Sequence, residues 1–145
     1  MRIDVAELAP EAYKAMLGLE RYLHSSGLPS RVIELVKLRA SQINGCAYCV
    51  HMHSADMKKS GEPDERIWGV AAWRETPSFT KEERAALALT EEATRLADGP
   101  GVSDAIWNEA AEHFDDGQLA ALVVAISTIN AWNRIAVTTH KEPEA

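Results

Sequence analysis

Apolar residues recur at intervals of three and four along most of this 145-residue chain, whereas the strict alternation typical of half-buried strands is scarce. In an α-helix this spacing places apolar side chains on one face, where a neighbouring helix can bury them. Glycines, prolines and capping residues divide the pattern into seven segments. The sequence therefore predicts an all-α fold, a single-domain bundle of about six to seven helices that covers residues 1–145.

Start and stop signals place the predicted helices. Pro10 suits a first helical position, and Gly27 suits a stop. Ser30 is a good N-cap, and Thr80 to Glu83 has the pattern of a capping box. The predicted helices run over about 10–25, from Ser30 to Asn44, over 46–61, from Pro63 to before Pro77, from Thr80 to before Asp98, over 104–114, and from 117 to about Thr138. In the first of them the predicted inward face consists of Ala12, Met16, Leu19 and Leu23.

Charge and hydropathy narrow the classes of partner. The formal net charge of −7 argues against a nucleic-acid partner, because phosphate binding needs clustered Lys and Arg. No apolar leader follows Met1, which favours the cytoplasm as the location. The most apolar stretch, Leu119 to Val137, is interrupted by polar residues, so we expect a buried core helix rather than a membrane span. The tail from Lys141 to Ala145 is expected to fray.

Chemistry is concentrated around the two cysteines, Cys46 and Cys49. On a helix, Cys46, Cys49 and His53 lie on one face within an arc of about 60°, whereas His51 points to another side. A disulfide between the cysteines closes a very short loop and adds little stability, so reversible redox is its more sensible use. The pair alone leaves inert, redox and metal-binding uses open. The histidine on the same face favours a redox or metal-binding use of the cysteines over an inert one.

Glu34 is the candidate partner of His53. If the helices on either side of Asn44-Gly45 form an antiparallel hairpin, Glu34 lies level with about residue 55, within one turn of His53. A carboxylate there would hold the imidazole in one tautomer and increase its basicity. The alternative is a solvated helix charge that pairs with Arg31 or Lys37.

These residues together resemble a known signature. Glu34 followed by Cys46-Ala47-Tyr48-Cys49 and His53 is similar to the motif of alkylhydroperoxidase-D-like proteins in the carboxymuconolactone decarboxylase family. The segments 34–39, 44–49 and 129–134 contribute to the likeness. This chain has Ala47-Tyr48 where the best-known peroxidases of the family carry a histidine between the cysteines, and it has His51 just beyond. The resemblance implies an all-α fold, a homo-oligomer (a trimer or a hexamer), and reduction of hydroperoxides through the cysteine pair.

The sequence therefore predicts a cysteine-based peroxidase that needs no bound cofactor or metal. Cys49 is expected to attack the hydroperoxide, because His53 is one turn away and the resemblance assigns attack to the second cysteine. Cys46 is expected to resolve the sulfenic acid to a disulfide, and an external dithiol or thiol reductant restores both thiols. Two alternatives remain open. They are a zinc site formed by Cys46, Cys49, His53 and Glu34, and a non-catalytic, redox-sensing helical oligomer.

Overall fold

The computed structural model describes residues 1–144, which form eight α-helices, a short 3₁₀ helix and no strand. The all-α prediction is confirmed. The α-helices are α1 (Val5–Leu8), α2 (Pro10–Ser25), α3 (Ser30–Asn44), α4 (Ala47–Lys59), α5 (Asp64–Gly69), α6 (Lys81–Thr94), α7 (Asp104–His113) and α8 (Asp116–Thr139), and the 3₁₀ helix Val70–Ala72 follows α5.

Helix α3 is the centre of the fold. It packs against α4, α6 and α8, and its buried residues lie on all of its sides. Leu35, Val36 and Leu38 are completely buried, and each such side chain stabilises the fold by roughly 1.5–3 kcal/mol relative to an exposed one. Because α3 is buried on all sides, the residues that it carries toward α4 are held rigidly.

Two apolar clusters flank α3. One joins α3 to α6, α7 and α8 through residues such as Val36, Leu89 and Leu122. The other lies between α3, α4, α5 and α6 and includes Leu38 and Met57. The site described below lies outside these clusters, at the end of α3 where α4 begins.

Helix α8 is long and apolar enough to cross a membrane by length and composition alone. Half of that stretch is buried inside the protein, against α2, α3 and α6. This arrangement agrees with the prediction of a core helix over Leu119 to Val137.

A buried ion pair joins α5 to α6. Arg66 donates hydrogen bonds to Glu62 and to Glu83, and the Glu83 side chain is 2 % exposed. Burial alone would raise the pKa of the Glu83 carboxyl, but the hydrogen bond from Arg66 and the capping contacts with Thr80 outweigh it, so the pKa lies below its ordinary value. Glu83 thus closes the predicted capping box of α6 and ties this helix to α5.

Several helix boundaries differ from the predictions. Pro29 rather than Ser30 is the N-cap of α3, and α4 begins at Ala47 with Cys46 as its N-cap. The four-residue helix α1, capped by Asp4, was not predicted because it is too short to show a periodic apolar face. The predicted inward face of α2 is confirmed at Met16 and Leu23 and wrong at Ala12 and Leu19, which are exposed. The inward positions are Tyr13, Met16, Glu20 and Leu23.

Candidate active site

A tight turn between α3 and α4 sets the position of the site. Gly45 has φ 68°, in the left-handed region that a side chain disfavours, and it ends α3. The Cys46 amide donates to the Ser41 carbonyl at 3.0 Å, which folds the chain back at once into α4. The predicted hairpin therefore forms, with Asn44-Gly45 as its turn.

Three side-chain amides and a hydroxyl fasten this turn to α8. Asn44 Nδ2 donates to Oδ1 of Asn130 and of Asn133, each at 2.9 Å. Asn133 Nδ2 in turn donates to Ser41 Oγ at 3.0 Å. Sequence analysis did not find this network, because its partners are 86 to 92 residues apart along the chain. The polar interruptions in the apolar pattern of α8 were its only signal.

The two cysteines lie at the N-terminus of α4 and form a disulfide, with their Cα atoms 5.4 Å apart. Both residues are buried, and they pack with Ala136 of α8 and with Tyr48. The Cys49 amide donates to Cys46 Sγ at 3.3 Å. Because this amide belongs to the first turn of α4, it stabilises negative charge on the Cys46 sulfur.

Glu34 and His53 meet across the hairpin, as the antiparallel arrangement of α3 and α4 predicts. His53 Nδ1 lies 3.0 Å from Glu34 Oε2, and the two side chains are 7 % and 21 % exposed. With the Nδ1 proton donated to Glu34, Nε2 is left to exchange protons with other groups. His51 is exposed on another side of α4, as expected from the helical spacing.

A cavity of about 320 Å³ lies against Cys49 and His53. Its lining includes apolar and aromatic side chains, with Leu17 and Tyr13 from α2 and Trp132 from α8. Tyr13 and Trp132 make an edge-to-face contact with ring centroids 5.2 Å apart. Within the described residues the cavity lining includes Cys49 and His53 but neither Cys46 nor His51. The two cysteines are therefore unequal in their access to a molecule in the cavity.

A buried ion pair forms part of the cavity wall. Lys37, which is 4 % exposed, pairs with Glu20, and Glu20 also accepts a hydrogen bond from Trp132 Nε1 at 3.0 Å. This pairing fixes Trp132 and neutralises the lysine charge. In the alternative interpretation of Glu34 as a solvated charge, Lys37 was one of its two possible surface partners. Its burial follows from the central position of α3, which the local pattern does not reveal.

The residues that could hold a metal differ from the predicted set. Ligand atoms of Glu34, His53 and Asp56 all lie within 4.8 Å of one another. The zinc set predicted as an alternative also needs two thiolates, and in the disulfide form Cys46 and Cys49 supply none. Asp56 was not singled out from sequence, although it lies three residues after His53 on the same helix face.

Comparisons with known proteins agree with this architecture. The model of the carboxymuconolactone decarboxylase family matches residues 10–92. The chain is 41 % identical over 136 residues to the uncharacterized protein YdfG of Bacillus subtilis strain 168, covering 94 % of this chain and 92 % of that protein.

Solved structures are similar over nearly the whole chain. A protein of unknown function from Agrobacterium tumefaciens, which has been suggested to be an antioxidant defence protein AhpD, is 42 % identical, with a TM-score of 0.94 and coverage of 99 % of this chain and 98 % of that one. An uncharacterized peroxidase-related protein from Ralstonia eutropha JMP134, described as an alkylhydroperoxidase AhpD core, shares the fold at 21 % identity, with a TM-score of 0.83 and coverage of 97 % and 74 %. The chain therefore belongs to the carboxymuconolactone decarboxylase family, among members with an AhpD-like fold.

Proposed function

We propose that this protein is a thiol peroxidase that reduces hydroperoxides through a Cys46–Cys49 dithiol/disulfide cycle. The observation that supports this most is the cavity shared by Cys49 and His53. Cys49 of the disulfide lines that cavity together with His53, which is hydrogen-bonded to Glu34. Nucleophile, proton-transfer group and orienting carboxylate thus converge where an organic molecule can enter.

In the oxidative step, the Cys49 thiolate attacks the terminal oxygen of the hydroperoxide. The S–O bond forms as the O–O bond breaks, and the leaving alkoxide takes a proton to become an alcohol. His53 would accept the thiol proton and return it to the alkoxide, while Glu34 stabilises the imidazolium between these transfers. Cys49 is left as a sulfenic acid.

Cys46 then resolves the sulfenic acid. Its sulfur attacks Cys49 Sγ, the S–O bond breaks, and the departing hydroxide takes a proton to form water. The hydrogen bond from the Cys49 amide favours the Cys46 thiolate that this step needs.

An external dithiol completes the cycle. It attacks Cys49 Sγ on the cavity side, Cys46 leaves as a thiolate, and a second exchange releases the oxidised reductant. The amide hydrogen bond to Cys46 Sγ also makes Cys46 the better leaving group. Over the whole cycle, the external dithiol loses two electrons and one hydroperoxide gains them.

The test is a thiol count before and after one equivalent of tert-butyl hydroperoxide. The reduced protein should lose both of its thiols and yield one equivalent of alcohol. Cys46→Ser should lose its one thiol, and Cys49→Ser should keep its thiol over the same time. Retention of both thiols in the reduced wild type would refute the proposed function.

A further inference from the structure

The C-terminus of α8 has an unusual cap. His140 has φ 56° and ψ 48°, and it is the only residue other than glycine with a positive φ within residues 1–144. This left-handed residue reverses the chain, and the Lys141 amide donates to the Ala136 carbonyl at 2.9 Å. Lys141 is therefore held against the fold rather than frayed.

The reversal brings the Lys141 side chain to the ring of Tyr48. Its Nζ lies 4.3 Å from the centroid of the Tyr48 ring, a cation–π contact. Tyr48 lies between the two cysteines in sequence and packs against the cluster that Cys46, Cys49 and Ala136 form. Lys141, Tyr48 and Cys49 all line the cavity, so an ammonium group and the second cysteine belong to the same cavity.

Lys141 differs from the other lysine of the cavity wall in its ion pairing. Two of the lining carboxylates have partners, because Asp4 caps α1 and Glu20 pairs with Lys37. The third, Asp56, has its carboxylate within 4.8 Å of ligand atoms on Glu34 and His53. Of the two lining lysines, Lys37 is neutralised by Glu20. Among residues 1–144, Lys141 forms no ion pair. An aromatic face attracts a cation more weakly than a carboxylate would, which leaves the Lys141 charge available to a ligand.

We propose that Lys141 is a specificity-determining residue that binds the carboxylate of an amphiphilic substrate in this cavity. The ligand class is an organic acid with an apolar body that packs on Trp132 and Leu17. As a substrate claim this rests on the proposed function, since such a molecule would carry its hydroperoxide group toward Cys49. As a binding claim it stands on the cavity and the free ammonium group alone.

The experiment compares two ligands of nearly equal shape by isothermal titration calorimetry on the disulfide form. Octanoate carries the carboxylate, and octanamide replaces it with a neutral amide. We expect octanoate to bind about tenfold more tightly, as one charge-assisted hydrogen bond allows. Lys141→Met should abolish this preference and leave octanamide binding unchanged, which also shows that the cavity is intact. Lys141→Arg should keep the preference.

Lys14→Met is the matched control, because Lys14 is exposed on α2 and does not line the cavity. It should behave as wild type. Equal affinity for the two ligands in wild type, no binding of either, or a preference that survives in Lys141→Met would overturn the inference. Neither ligand reacts with thiols, so binding can succeed while peroxide reduction fails, and the reverse. The two claims are thereby tested separately.

Discussion

Replacing Glu34 by glutamine isolates the role of the carboxylate behind His53. The substitution keeps the size of the side chain and an oxygen that can accept a hydrogen bond from Nδ1–H, but it removes the negative charge. His53 Nδ1 and Glu34 Oε2 are 3.0 Å apart, and the side chains are only 7 % and 21 % exposed, so water screens the interaction weakly.

The expected size of the rate loss follows from the type of hydrogen bond that His53 makes. A hydrogen bond to a charged partner contributes about 1.5–3 kcal/mol, and a neutral one about 0.5–1.5 kcal/mol. The glutamine is therefore expected to stabilise the imidazolium by about 1.4 kcal/mol less than the glutamate does, which lowers the rate about tenfold. The unfolding free energy should change little, because Glu34 is half-buried and its replacement remains hydrogen-bonded.

The assay is the rate of thiol loss in the reduced protein after mixing with tert-butyl hydroperoxide, between about pH 6 and pH 8. Glu112→Gln is the control, because this exposed residue of α7 makes the same change of net charge outside the cavity lining. A Glu34→Gln rate equal to that of the control across this range would mean that the carboxylate plays no part in the reaction.

Three further predictions concern other residues and the assembly. His53→Ala should slow thiol oxidation by roughly a hundredfold and His51→Ala by less than about twofold, since only His53 lines the cavity; equal losses would refute the assignment. Because the folded-state pKa of Glu83 is lowered beside Arg66, its contribution to the unfolding free energy is complete above the ordinary Glu pKa and is lost as the pH falls through the folded value. Urea unfolding from about pH 6 to pH 3 should therefore show a smaller acid-induced loss in Glu83→Gln than in wild type, and parallel losses would contradict the prediction. Light scattering should show a homo-oligomer, because apolar side chains such as Val123 and Val137 remain exposed on α8, and the family resemblance implies three or six chains; a monomer at micromolar concentration would refute this.

Local signals predicted much of the fold. The bounds of α2, Pro10–Ser25, match the prediction, because proline and glycine mark its ends in the sequence itself. The capping box at Thr80 also formed as predicted, since its partners are only three residues apart. Helical spacing and one turn were sufficient to bring Glu34 and His53 together.

The remaining features of the site depend on contacts between distant residues. The burial of Lys37 is set by helices that surround α3, and its partner Glu20 is 17 residues away. The contact of Lys141 with Tyr48 depends on the left-handed cap at His140. Such caps are usually glycines, so the sequence gives no signal for this one. From the sequence alone, Lys37 was only a possible surface partner of Glu34 and Lys141 was part of a tail expected to fray, because neither residue carries a local sign of its partner. Ala145, the last residue of that predicted tail, lies outside the described residues.

The most direct test of the central claim is to trap the sulfenic acid. Cys49 lines the cavity with His53, and Cys46 does not, so the account assigns attack to Cys49 alone. Reduced Cys46→Ser and Cys49→Ser are each treated with one equivalent of tert-butyl hydroperoxide in the presence of dimedone, and adducts are located by mass spectrometry. The account predicts a rapid adduct on Cys49 in Cys46→Ser and scarcely any adduct in Cys49→Ser. An adduct on Cys46 in Cys49→Ser, formed at a similar rate, would contradict it.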